Sequence, residues 1–424
     1  MQRSGELVVN SSVVTSLSPG QIMLAAALVM GLATACQVVA PRLRIPALIL
    51  LLPTGFLLGF IAPQFRFDAI LGNAFPVAVD LIVAVILFQG GLELSKSALK
   101  DHDRVVVRKL VWLGAPITWI AGSAAAHFLI GLPWPMAFML GAILVVSGPT
   151  VVTPILDFAR PRGKVRGILQ WEGTLLDPIG ALFAVVVFQI IKVSGATSVT
   201  EAAGLFFGGI LVGVIAAILG VALFVVGGRL VRGNALLGTQ VILGSVIVTA
   251  AIANYVANET GLIAALLMGL AAPRVAQRFG ASLDDANPFF NAVVSIGIGV
   301  LFISIAALVP TRDLVSILLP TLAMAVVLII IVRPLVAVVS TVRSDLTKQE
   351  RAFIAWMDPR GIVAAATASS IGASLIALKL PGAEQLLPAT FVIIAVTVGV
   401  YGLTAVPVAS ALGLRQKDDS VASN

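Results

Sequence analysis

The sequence is divided into thirteen apolar runs, most of them near 20 residues long, by short polar connections. About 20 apolar residues are enough to cross a bilayer as a helix. Only 11% of the residues are charged, whereas soluble domains carry about 25%. The sequence therefore predicts an all-α polytopic membrane protein. The predicted spans are 21–40, 45–62, 76–94, 110–131, 135–158, 166–191, 202–226, 235–256, 260–273, 288–309, 314–340, 352–377 and 387–412.

Basic residues are distributed unequally between alternate connections. With the N-terminus outside, 20 of the 27 Lys and Arg residues lie in inner connections and 5 in outer ones, while Arg333 and Arg360 lie inside spans. Inner connections of membrane proteins are enriched in Lys and Arg. We therefore expect a multi-pass protein of the plasma or inner membrane with residues 413–424 as a short cytoplasmic tail.

Other classes of protein fit the sequence less well. The connections are too short for a soluble domain, so residues 1–424 are expected to form a single transmembrane domain. The polar N-terminus shows no cleavable signal peptide, and the single Cys36 excludes an internal disulfide. The sequence has no His/Cys cluster, Walker loop or nucleophile elbow. We predict neither an enzyme nor a cofactor, and we attribute the net charge of +7 to topology rather than to nucleic-acid binding.

Two carboxylates, Glu172 and Asp177, lie inside the sixth span. A charge at mid-membrane costs at least about 2.5–3.5 kcal/mol, so such residues usually face the protein interior or a water-filled cavity. Five residues apart on a helix, they point about 140° away from each other. Pro178 follows Asp177 and loosens the helix there. The two acids are therefore expected to have different partners.

Asp177 is the predicted binding site for ions. It lies roughly 17 Å along its helix, near the midplane, and no second basic residue is expected at that depth. A buried carboxylate without a counter-charge holds a proton, or releases it and holds a metal cation. One acid binds either guest but never both, which is the requirement for exchange. The alternative is a permanently protonated structural Asp.

The fifth and twelfth spans each contain a break. The residues that interrupt the fifth span are Ser147, Gly148, Pro149, Thr150, Thr153 and Pro154, and those of the twelfth are Asp358, Pro359, Arg360 and Gly361. Paired interruptions at corresponding positions of an inverted repeat indicate a transport site. The alternative for the fifth span is a simple proline kink.

Arg333 in the eleventh span and Glu172 in the sixth are predicted to form a structural ion pair. Their depths from the inner side are roughly 12 Å and 10 Å. A lone buried charge is costly, so opposite charges at one depth are expected to pair. The alternative is that Arg333 extends its head to the inner surface. Gln89 in the third span is a further candidate oxygen ligand or a helix–helix hydrogen bond, and Asp80 lies near that span's end, within reach of interfacial water.

These segments resemble the cation:proton antiporter superfamily, particularly the branch of NhaP-type Na⁺/H⁺ antiporters and Na⁺/H⁺ exchangers. The matching stretches are ILFQGGLEL, SGPTVVTPI, EGTLLDP, VRPL and MDPRGIVAA. The resemblance implies thirteen helices, a homodimer, two crossed broken helices and elevator-like alternating access. We assign residues 76–191 and 288–377 to the core transport subdomain and the remaining helices to dimerisation.

The resemblance also implies roles for particular residues. Asp177 matches the essential ion- and proton-binding aspartate, Thr150 the threonine of the crossed helix, and Glu172 and Arg333 its ion pair, while Arg360 matches an Arg-Gly position. The departures from the pattern are Leu176, Val151 and Gly173, where polar residues are usual, and Gln89, where some members have an acidic residue. A site that keeps one central carboxylate favours electroneutral exchange of one cation for one proton.

We therefore predict a monovalent cation/proton antiporter for Na⁺ or K⁺ that works in pH homeostasis. Two alternatives stay open. The first is a gated or passive cation efflux pathway of the same fold, and the second is a membrane enzyme or scaffold without ion transport.

Overall fold

The computed structural model describes residues 18–416 apart from 44, 64–65, 67–69, 73, 97–100, 163, 193–198, 232–234, 279–286 and 310. The N-terminal stretch considered for a signal peptide and most of the predicted cytoplasmic tail lie outside the described residues.

The described part of the chain is almost entirely helical. The helices are α1 (Pro19–Arg42), α2 (Leu48–Ile61), α3 (Ala74–Lys96), α4 (Asp101–Trp112), α5 (Gly114–Ala125), α6 (Trp134–Ile143), α7 (Pro149–Ala159), α8 (Val165–Lys192), α9 (Val199–Leu230), α10 (Ala235–Val256), α11 (Thr260–Arg278), α12 (Asn287–Ala306), α13 (Thr311–Val327), α14 (Arg333–Thr341), α15 (Lys348–Trp356), α16 (Ile362–Ala377) and α17 (Leu386–Ala411). Single π-helical turns extend α5 over Ala126–Ile130 and join α13 to α14 over Leu328–Val332.

The helices follow the predicted spans. Nine helical stretches of the described residues are long and apolar enough to cross a membrane, and five shorter apolar helices accompany them. The fifth span is divided into α6 and α7 and the twelfth into α15 and α16, as the breaks predict. The fourth span begins earlier than predicted, because α4 starts at Asp101 in the polar connection. The predicted all-α fold with two discontinuous helices is confirmed.

Glycines allow the closest helix packing. A methyl group on Gly91 of α3 would lie 2.5 Å from the Leu266 carbonyl oxygen of α11, and one on Gly269 would collide with the Phe88 carbonyl oxygen. Gly55 of α2 fits against the backbone of Ile303 in α12 in the same way. Small residues permit such backbone contacts in membrane helices. These glycines fix the spacing of α3, α11, α2 and α12.

The helices pack in two groups. The first consists of α1, α2, α3, α9, α10, α11 and α12, and the second includes the broken helices together with α5, α8, α13, α14 and α17. The predicted division into subdomains stays a prediction. The packing favours placing 74–96 and 287–306 with the first group and 386–411 with the second.

Candidate functional site

The two helix breaks contact each other inside the second group. The Ser147 hydroxyl donates a hydrogen bond of 3.2 Å to the Pro359 carbonyl oxygen. A methyl group on Gly361 would lie 3.2 Å from the Gly148 nitrogen, so the two backbones touch there. Gly148 and Gly361 are also the N-caps of α7 and α16. The positive ends of two helix dipoles therefore meet at this contact.

Asp177 lies against this contact. Its side chain is fully buried, and a methyl group on Gly148 would come within 2.8 Å of its Oδ2 atom. Gly180, one turn further along α8, fits against the backbone of Val146. Neither carboxylate oxygen of Asp177 has a hydrogen-bond partner among the described residues. The structure thus brings a buried carboxylate, with free oxygens, to the N-termini of two half-helices.

Other predicted ligands lie around the same contact. Thr150 is buried, and its hydroxyl has no partner in the described part of the chain. That hydroxyl lies near Gly361, while Pro149 packs against Gly90, the residue after Gln89. Thr153 and Pro154 are partly exposed, one turn along α7. The Thr150 hydroxyl is therefore free to bind a cation at the contact of the two breaks, whereas Thr153 is more peripheral.

Gln89 has one partner that the sequence did not suggest. Its Nε2 atom donates a hydrogen bond of 2.7 Å to Oδ1 of Asn291 on α12. Its Oε1 atom is buried, with no partner among the described residues. The amide is therefore fixed by Asn291 and leaves one carbonyl oxygen free. Asn291 lies 202 residues further along the chain, and no motif in the sequence links the two.

Glu172 and Arg333 form a buried, two-pronged ion pair. The two guanidinium Nη atoms lie 2.5 Å and 2.9 Å from the two carboxylate oxygens. The Nε atom of Arg333 donates to the Ile354 carbonyl oxygen at 2.9 Å. Both charged side chains are at most 4% exposed. The structure therefore places Arg333 in the interior rather than at the inner surface.

The ion pair extends into the twelfth span. Asp358 Oδ1 lies 4.0 Å from Arg333, and its Oδ2 accepts a hydrogen bond of 2.7 Å from Arg360. The four side chains form a buried network of two acids and two bases with no net charge. From the sequence, Asp358 and Arg360 were expected to support the broken helix. The sequence did not predict that Asp358 links Arg360 to Arg333. Since the network neutralises itself, Asp177 is not neutralised by it.

Two further acids, Asp80 and Glu259, lie on the predicted outer side of the site. Asp80 and Glu259 line a common cavity between α3, the turn before α11, and α16. Glu259 was missed, although it is the only acidic residue between Glu201 and Asp284. A lone carboxylate in so long an apolar stretch was the available signal.

A methyl group at Gly148 tests the position of Asp177. We expect Gly148→Ala to reduce exchange by about ten- to a hundredfold, because displacing a reacting group by about 1 Å has effects of this size. The extended backbone at Gly148 accepts Ala, so the helices should still form. Cation-driven proton flux in proteoliposomes measures the effect. The control is Gly372→Ala on α16, where a methyl group lies more than 4 Å from every described residue outside its own helix turn. Equal activity of both variants would contradict the packing of Asp177 against Gly148.

Comparisons with known proteins identify the family of this chain. The family described as "Sodium/hydrogen exchanger, transmembrane" matches residues 24–411. The chain is 25% identical to the Na⁺/H⁺ antiporter NhaH of Halobacillus aidingensis over 346 residues, which cover 79% of this chain and 83% of the relative. It is also 25% identical to the K⁺/H⁺ antiporter NhaP of Alkalimonas amylolytica, over 77% of this chain and 56% of that protein.

The fold has a solved counterpart. The structure of the sodium proton antiporter MjNhaP1 from Methanocaldococcus jannaschii superposes with a TM-score of 0.78 at 22% identity, covering 92% of this chain and 99% of that one. This likeness shows the shared fold. Because the family match spans nearly all of the described helices, the chain belongs to the sodium/hydrogen exchanger family.

Proposed function

We propose that this protein is a secondary active antiporter that exchanges Na⁺ or K⁺ for H⁺ across the cell membrane. One observation carries the proposal: Asp177 is a buried carboxylate with two free oxygens at the contact of two broken helices. Such sites are typical of secondary transporters. The names of the relatives, which mention both Na⁺ and K⁺, support a monovalent cation without choosing between them.

The charges around Asp177 support strict exchange. The neighbouring network has no net charge; its members are Glu172, Arg333, Asp358 and Arg360. The net charge of the helices that move with Asp177 therefore depends on whether Asp177 binds a proton, a cation or neither. An empty, ionised Asp177 would carry an uncompensated negative charge through a low-dielectric region, which is costly. Either a proton or a monovalent cation removes that charge. Reorientation is therefore favoured only with one guest bound, which gives electroneutral exchange of one cation for one proton.

Free oxygen atoms around the contact of the broken helices suit a monovalent cation. Besides the carboxylate, the site offers the Thr150 hydroxyl and the Gln89 carbonyl oxygen, both buried and without a partner in the described region. Oxygen donors are the ligands that Na⁺ or K⁺ would exchange for water in such a break. When a proton occupies Asp177, these neutral groups need no counter-charge. They therefore add affinity for the cation without altering the exchange ratio.

The burial of Asp177 supports alternating access. Its side chain is fully buried and lines neither the cavity of about 520 Å³ on the predicted inner side nor that of about 60 Å³ on the predicted outer side. The larger cavity reaches Trp171, Leu175 and Ile179, which lie on the face of α8 turned away from Asp177. We infer that this conformation is occluded and that movement of the broken helices exposes Asp177 to each side in turn. The functional unit would be a homodimer with its N-terminus outside.

Purified protein in proteoliposomes tests the proposal. With a proton gradient imposed, addition of Na⁺ or K⁺ should collapse the gradient, and the rate should be unaffected when the membrane potential is clamped at different values. Li⁺ and choline are compared under the same conditions. Cation flux that persists without counter-movement of protons would instead favour a passive pathway. A rate that follows the membrane potential would overturn the one-for-one ratio.

A further inference from the structure

A second group of cation ligands lies between the two helix groups, on the predicted outer side. The cavity of about 60 Å³ there has room for a few water molecules. Its lining runs from the exposed Pro76 and Ser370 to the buried Val83 and Val363. The cavity therefore leads from the surface down the sides of α3 and α16, toward the contact of the broken helices.

Two carboxylates face this cavity, Asp80 from α3 and Glu259 from the turn before α11. Their charges interact with each other, and no hydrogen bond or ion pair to a cationic side chain involves either of them within the described residues. Two like charges that face the same partly buried cavity repel each other. Their repulsion is relieved by a bound cation or by a proton.

Thr367 supplies a third oxygen. It lines the same cavity from α16, it is only 4% exposed, and it makes no hydrogen bond to any described residue. A buried hydroxyl normally has a partner. Threonines in helices usually bond the carbonyl four residues earlier, as Thr341 does. The hydroxyl of Thr367 is therefore free to bind a ligand in the cavity.

The cavity is connected electrostatically to Asp177. Glu259 lies near enough for its charge to act on that of Asp177. Val363, at the buried end of the cavity, is two residues from Gly361, which contacts Gly148. A cation bound in the cavity would therefore lie between the outer surface and Asp177.

We propose that Asp80, Glu259 and Thr367 form a second binding site for a monovalent cation, which captures the ion from the outer side before it reaches Asp177. The role in capture rests on the proposed antiport function, whereas binding at the site does not. The site takes a partly hydrated Na⁺ or K⁺, since two carboxylates and one hydroxyl leave further coordination positions to water. Because the three ligands come from both helix groups, relative movement of the groups would open the site and release the ion.

Transport from each side separately tests the role in capture. In right-side-out vesicles, the Asp80→Asn/Glu259→Gln variant should raise the KM for the outer cation by at least about tenfold, the size by which charged clefts concentrate counter-ions. In inside-out vesicles, the KM for the inner cation should change less than about twofold. Thr367→Val, which removes no charge, should raise the outer KM by about threefold, the effect of one lost ligand contact. The uptake of ²²Na⁺ or ⁸⁶Rb⁺ is the readout.

The control is Glu384→Gln, which removes an exposed acid from the connection between α16 and α17. It should leave both KM values unchanged. Equal KM changes on both sides would overturn the outer capture site. A different outcome is that the double variant raises the outer KM while Thr367→Val leaves it at the wild-type value. That result would overturn the three-ligand site, because it would show that the two acids attract the cation only at long range.

A binding measurement that does not depend on transport separates this proposal from the first. Since the site does not include Asp177, NaCl should raise the thermal midpoint of the Asp177→Asn variant above its value in choline chloride, because ligands stabilise the folded state that binds them. Adding Asp80→Asn and Glu259→Gln should abolish this rise. If the rise is absent from Asp177→Asn, the second site is overturned whatever the transport results. If wild-type protein shows no exchange but the rise is present, only the proposed antiport function fails.

Discussion

Asp177→Asn should abolish cation/proton exchange while leaving the protein folded. An amide keeps the size of the carboxylate but neither binds an exchangeable proton nor carries the charge that attracts a cation. The side chain is fully buried, and its oxygens have no partner among the described residues, so no other acid in contact with it can substitute. The measurement is dequenching of a pH-sensitive dye in proteoliposomes after addition of Na⁺ or K⁺, and the signal should equal that of empty liposomes.

The stability of the same variant provides an independent check. Burying an ionised group costs several kcal/mol, and a neutral amide avoids that cost. The thermal midpoint of Asp177→Asn in detergent should therefore equal or exceed that of wild type. The matched control is Asp157→Asn on α7, where an exposed acid pairs with Arg166; it should retain transport. Proton-coupled Na⁺ or K⁺ flux in Asp177→Asn would contradict the single-carboxylate mechanism.

Much of the fold was predictable because each membrane helix is encoded locally. An apolar run of about 20 residues leaves few alternatives to a spanning helix, and the Gly-Pro and Asp-Pro-Arg-Gly interruptions placed both breaks correctly. The depth of a residue in the membrane could also be counted along its helix. The similar depths of Glu172 and Arg333 predicted the ion pair that the structure contains. These inferences need only the position of a residue within its own span.

What the sequence did not predict depends on which helices are neighbours. The hydrogen bond from Gln89 to Asn291, the link from Arg333 to Asp358 and the shared cavity of Asp80 and Glu259 each join distant spans. Rotation of a helix about its axis decides such contacts, and nearly uniform apolar faces carry little information about it. Asp80 shows this clearly: its depth predicted reach to interfacial water, but not the cavity that it lines together with Glu259.

Arg333→Ala should be the most destabilising single substitution in the site. It removes the partner of Glu172, one neighbour of Asp358 and the donor to the Ile354 carbonyl. The buried network then carries two acids and one base. Breaking a buried ion pair by removing one partner costs about 3–5 kcal/mol, because the other charge stays uncompensated. Unfolding in mixed detergent and sodium dodecyl sulfate measures the free energy, and the thermal midpoint gives a second reading.

Glu172→Ala should cost less than Arg333→Ala, because the geometry of the network is asymmetric. Without Glu172, Arg333 keeps the Ile354 carbonyl and lies 4.0 Å from Asp358. Without Arg333, Glu172 keeps no cationic side chain in contact among the described residues. The double variant should be more stable than Arg333→Ala alone, since it leaves Asp358 and Arg360 as a neutral pair. The control is Arg166→Ala, whose exposed pair with Asp157 should contribute about 0–1 kcal/mol. If Arg333→Ala costs no more than Arg166→Ala, the buried network does not hold α14 and the break of the twelfth span to α8, and the exchange site must be positioned by packing alone.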